Sequence, residues 1–126
     1  MFTRIIPIVL LLLLVGCYQS KQEELDSTIE DMVVSLEEPD FNKKEFLELH
    51  ADPAFVESKK QDGEWDEVVA QFGSTDKNEL HRALTVARNV RPQFERDSTV
   101  AIFEHPELNR SLRFTYVDGE WYLTNK

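Results

Sequence analysis

Cysteine is almost missing from this chain of 126 residues: Cys17 stands alone, so no disulfide within the molecule can hold its fold. Basic side chains are also scarce, with 14 Lys plus Arg against 24 Asp plus Glu and a formal net charge of −10. A surface of that sign repels phosphate, which excludes nucleic acid as a partner and argues against a domain lying flat on anionic lipid. The acidity favours solubility and leaves basic partners or bound cations open. Histidine occurs only as His50, His81 and His105, with neither a two-histidine ligand spacing nor a neighbouring cysteine, so no metal site and no cofactor are expected. The chain carries no Gly-x-Ser-x-Gly, no phosphate-binding glycine loop and no dinucleotide fingerprint. The acidic run Asp62, Glu64, Asp66 and Glu67 around Gly63 fails the order of a calcium loop and reads as a loop leading into a helix N-terminus.

The one long apolar run is short for a membrane. Residues 5–15 follow Arg4, giving a positive start and a hydrophobic block that would span only about 16 Å as a helix, against roughly 30 Å of hydrocarbon. This is the layout of a secretory signal ending at a small residue. The segment Leu14-Val15-Gly16-Cys17 resembles the lipobox of bacterial lipoproteins. That resemblance implies cleavage between Gly16 and Cys17, and lipidation of Cys17 by a diacylglyceryl thioether with an amide-linked acyl chain such as palmitate. Two or more chains make anchoring stable where one gives only marginal binding. Tyr18 replaces the aspartate that retains such proteins at an inner membrane. The implied address is therefore the outer membrane, facing the periplasm, in a double-membraned cell, and otherwise the outer face of the cell membrane.

Removing residues 1–16 takes only Arg4 among the charged side chains and leaves 110 residues, enough for one domain, with 13 basic and 24 acidic groups and a formal charge of −11. Residues 17–20 are expected to be the lipidated cysteine and a short tether, about 10 Å if extended, and residues 21–126 a single domain. Ser20 with Glu23 forms a capping-box pattern ahead of Leu25, Ile29, Met32, Val33 and Leu36, which predicts an amphipathic helix closing before Pro39. Asn42 with Glu45, and Asp52 with Pro53, announce two shorter helices. Trp65, Val68, Val69 and Phe72 share a helical face ending at Gly73, read as a C-terminal cap. Ser74, Thr75 and Asp76 open a helix with Leu80, Ala83, Leu84 and Ala87 on its apolar side.

After Pro92 the hydrophobic period changes from helix to strand. Residues 93–95, 99–104, 110–117 and 120–124 read as strands, and Asp118-Gly119 is the two-residue turn between the last two. That turn sets Val117 against Glu120, Tyr116 against Trp121, Phe114 against Leu123 and Leu112 against Asn125. Leu112, Phe114, Tyr116, Trp121 and Leu123 then share one face, and Arg113, Thr115, Tyr122 and Thr124 the other. The expected class is α+β, with N-terminal helices packed on a C-terminal antiparallel sheet. The closing segment, with Gly119, Trp121 and Tyr122 after an aromatic strand, resembles the final hairpin of small nuclear transport factor 2-like domains, which implies a cone-shaped fold with a curved sheet around helices.

Two classes of function follow. The first is an anchored, non-catalytic binding or interaction domain held beside an envelope protein partner, favoured because no nucleophile is paired with a base. The second is a small-molecule pocket protein or an isomerase- or dehydratase-like enzyme, as in members of the cone-shaped family. In that case Tyr116 beside Trp121 is the pocket donor, and His81 or His105 the base.

Overall fold

The computed structural model describes the backbone of residues 2–124 and the side chains of residues 20–124. Five helices precede a four-stranded antiparallel sheet, so the molecule is α+β: α1 (Phe2–Glu37), α2 (Lys43–His50), α3 (Pro53–Gln61), α4 (Trp65–Gln71), α5 (Ser74–Ala87), β1 (Gln93–Glu95), β2 (Val100–Phe103), β3 (Leu112–Val117) and β4 (Glu120–Thr124). Among the described residues, no helix is long and apolar enough to cross a membrane.

Helix α1 does not begin at Ser20. It runs unbroken through that position, so the Ser20–Glu23 pair caps nothing and Tyr18, Gln19 and Ser20 continue the helix instead of forming an extended tether. Between Gly16 and Pro39 the sequence holds neither glycine nor proline, and an established helix adds residues far more easily than it nucleates. Its apolar stripe is as expected: Leu25, Ile29, Met32, Val33 and Leu36 are all buried.

The predicted caps of the next two helices are present. The Asn42 side chain accepts the Glu45 N–H at 3.1 Å, and Asp52 Oδ1 accepts the Ala54 N–H at 3.1 Å with Pro53 opening α3. Gly73 has a different role from the one expected. Phe72 closes α4, while Gly73, with extended backbone at φ −96°, is the N-cap of α5, where its N–H donates to Asp76 Oδ2 at 2.9 Å. A glycine one residue before Ser-Thr-Asp carries start and stop signals at once, and here the carboxylate at N3 selects the start.

The sheet is a meander in the order β1-β2-β3-β4. Val117 pairs with Glu120, Tyr116 with Trp121 and Phe114 with Leu123, the register the two-residue turn demands; the Leu112–Asn125 pairing falls outside the described residues. Asp118 (φ 49°) and Gly119 (φ 86°) both lie in the left-handed region, as a turn matching strand twist requires. The β1–β2 loop is more strained, because Arg96, Asp97 and Ser98 all hold positive φ without a glycine among them.

One sheet face meets the helices. Ala101, Phe103, Phe114 and Trp121 join the α1 stripe and Leu84 and Ala87 of α5 in one core, with Leu112, Tyr116 and Leu123 packed against it. Phe103 and Phe114 meet edge to face at 5.9 Å. On the reverse face only Ile102 is buried among the described strand residues. A satellite cluster of Val56, Trp65 and Val69 joins α3 to α4. The joint between α2 and α3 docks on the free edge of β4, where the Asp52 N–H donates to the Leu123 carbonyl at 2.8 Å. That docking positions the cleft described next.

Candidate functional site

Three elements converge on a half-open cleft of about 370 Å³. Helix α1 supplies Glu24, Ser27, Thr28 and Asp31, which recur at i, i+3, i+4 and i+7 and so form a polar stripe beside the apolar one. The last turn of α2 supplies Leu49 and His50, the β3–β4 turn supplies Gly119, and the start of β4 supplies Glu120 and Trp121.

His50 is the one buried polar or charged side chain among the described residues, with 9% of its surface exposed. It lies four residues after Phe46 on the inner side of α2, and the two rings are 4.9 Å apart. Neither ring nitrogen has a hydrogen-bond partner within the described protein, and no fully buried side-chain nitrogen or oxygen is left unpaired. The access that remains to those nitrogens is through the cleft. Burial pulls the imidazole below its ordinary pKa of 6.5, while the Asp31 and Glu120 carboxylates act in the opposite sense.

This shift has a measurable consequence for stability. With a folded pKa lower than the unfolded one, the neutral ring contributes fully above pH 6.5, and the unfolded state gains protons first as pH falls below that value. The urea midpoint should therefore drop between pH 7 and pH 5.5 more steeply in the native protein than in a His50→Gln variant. Equal slopes would show that His50 is not the group responsible.

Tyr116 and Trp121, expected on the packing face, lie together there with ring centroids 5.0 Å apart. The Tyr116 hydroxyl donates to Glu24 Oε2 at 3.0 Å, and partial burial together with that bond and the carboxylate's charge raises its pKa. The Trp121 indole N–H donates to the Lys21 carbonyl at 3.1 Å, tying the last strand to the first helix. Tyr122, on the reverse face, donates to Glu120 Oε2 at 2.9 Å; that bond, then partial burial and the nearby charges of Glu120 and Asp118, holds its proton more tightly.

Neither of the other two histidines reaches Tyr116. His81 on α5 pairs with Glu37 at 2.8 Å, thirteen residues and about 20 Å along α1 from Glu24. His105 Nδ1 accepts the Glu107 N–H at 3.1 Å in the loop after β2, beyond the opposite end of β3 from Tyr116. The histidine that borders the same cleft wall as Trp121 is His50, and the sequence signal for it was its i+4 spacing from Phe46. The cleavage and lipidation site at Gly16 and Cys17 lies outside the described side chains. Among the described residues no group of three or more His, Cys, Asp or Glu could hold a metal ion. The acidic run ends in the first turn of α4, where Asp66 and Glu67 favour the helix N-terminus, and Glu64 pairs with Lys59 at 3.1 Å.

No protein-family profile, curated protein or solved structure matches this chain.

Proposed function

We propose that this chain is a lipid-anchored cell-envelope lipoprotein whose acidic α+β domain binds a partner or ligand without catalysing a reaction. The observation that carries the anchoring is the order Arg4, apolar residues 5–15, then Gly16-Cys17, with Cys17 the only cysteine of the protein. Among the described residues the core positions of α1 run from Leu25 to Leu36, all of which cleavage before Cys17 would leave in place. The address follows from Tyr18 after the cysteine: the outer membrane facing the periplasm in a double-membraned cell, otherwise the outer face of the cell membrane.

The finer fold proposed is the cone of nuclear transport factor 2-like domains. Helices on one face of an antiparallel meander, an aromatic closing hairpin and the contact of Ala51 with the β4 edge support it. The small-molecule reading is favoured by one observation, the cleft that holds an unpaired and nearly buried His50.

Anchoring is tested with Cys17→Ser. The native protein should partition with membranes, incorporate radiolabelled palmitate and lack residues 1–16 by mass spectrometry. The variant should appear in the soluble fraction, unlabelled, with residues 1–16 retained. A variant as membrane-bound and as fully processed as the native protein would refute the proposal.

A further inference from the structure

We infer that the cleft beside His50 binds the ammonium group of a small aliphatic amine; this rests on the reading of the domain as a binding module and names its ligand class. Two features of the cleft favour a cationic hydrogen-bond donor. The first is His50 itself. Nine-tenths buried and without a partner in the protein, its neutral ring offers one acceptor nitrogen and one N–H toward the cleft. Its nitrogens are not fully buried, so water reaches them through the cleft, and a ligand that donates to the acceptor nitrogen takes that water's place.

The second feature is the charge of the wall. Asp31 and Glu24 from α1 and Glu120 from the start of β4 line the same space, and no lysine or arginine does. Asp31 makes no hydrogen bond or ion pair to another described side chain, whereas Glu24 and Glu120 each keep one carboxylate oxygen outside their tyrosine bonds. Anions are repelled here. A metal ion is not favoured, since no group of described residues is arranged to ligate one. An alkylammonium asks for less convergence: one N–H can donate to the His50 acceptor nitrogen while the Asp31 and Glu120 carboxylates, whose fields reach the ring, act on its charge. Its methylene chain has Trp121 and the exposed side chain of Leu49 to lie against. The cleft volume of about 370 Å³ lies at the small end of ligand sites, which suits a short linear amine.

The pH response follows from the same geometry. Protonation of His50 removes the acceptor and adds a like charge beside the ammonium, and Asp31, Glu24 and Glu120 are the charged groups that face the ring from α1 and the start of β4. Amine binding therefore weakens as pH falls through the pKa of His50 in the folded protein, which burial holds below the ordinary histidine value.

The test uses the purified full-length protein in detergent micelles, titrated with 1,5-diaminopentane at low salt while the indole N–H signals of Trp121 and Trp65 are followed by NMR. Trp65 lies in the satellite cluster and serves as the internal control. We expect saturable movement of Trp121 alone, with half-saturation at about 1 mM, the scale open to so small a ligand. The double variant Asp31→Asn, Glu120→Gln changes only exposed, isosteric side chains and should weaken binding by about tenfold or more. Pentan-1-ol, equally long but uncharged, should leave Trp121 unmoved. A Trp121 signal that stays fixed in about 10 mM diamine, or that moves equally with the alcohol, overturns the inference. Anchoring is read from the behaviour of Cys17→Ser, so failure of amine binding and failure of anchoring are separate results. Chemical alteration of the diamine during the titration would instead overturn the non-catalytic reading.

Discussion

Ile29→Asp should abolish cooperative unfolding at neutral pH, while Val34→Asp, five residues further along the same helix, should cost less than about 1 kcal/mol. Ile29 is 1% exposed at the centre of the α1 stripe, whereas Val34 is 49% exposed. A carboxylate at position 29 has no basic partner among its core neighbours, so it must either ionise unpaired in an apolar site or take up a proton, and both routes cost several kcal/mol. A domain of this size has only about 5–15 kcal/mol in total. At position 34 the new carboxylate stays in water and meets only the modest unfavourable field near a helix C-terminus. Urea titration followed by circular dichroism distinguishes the two. Comparable midpoints would mean that α1 does not present the face described.

Phe114→Ala should destabilise by about 3–5 kcal/mol, and Thr115→Ala by less than about 1 kcal/mol. Phe114 is fully buried, opposite Ala101 and against the edge of Phe103, so truncation leaves a cavity between sheet and helices that the rigid β3–β4 hairpin cannot close. Thr115 is on the reverse face, which is largely open. The pair also tests the register. A slip of one residue at the Asp118-Gly119 turn would exchange the two faces and invert the order of the two effects.

The sheet was legible because its signals are local and mutually consistent. Two residues that accept positive φ fix the turn, the turn fixes the pairing, and the pairing places Leu112, Phe114, Tyr116, Trp121 and Leu123 on one side. The same holds for Asn42 and Asp52, whose side chains reach no farther than the next turn of their own helices. Ser20 and Gly73 were misread for a shared reason. Each is a valid boundary signal whose use depends on the neighbouring segment: Ser20 is overridden by a helix already propagating through it, and Gly73 is claimed by Asp76 of the following helix.

The cleft was the least legible part. It is assembled from residues 24–31, 49–50 and 119–121, brought together by the docking of the α2–α3 joint on the edge of β4, and no local pattern announces a contact over such separations. His50 was visible only as one more residue on the inner side of a short helix. Its distinguishing property, a buried ring with no hydrogen-bond partner in the protein, exists only once the fold has brought α1 and the β3–β4 hairpin to the same cleft.

The hydrogen bond from Trp121 to the Lys21 carbonyl spans 100 positions of the chain and makes the earliest helix dependent on the latest strand. A ribosome working at about 5–20 residues per second needs roughly 5–20 s to travel that distance. Throughout the interval α1 lacks β4, which together with α5 makes its most extensive contacts. Final docking must therefore wait until β4 has been made, and until then the joint between Trp121 and Lys21 cannot close.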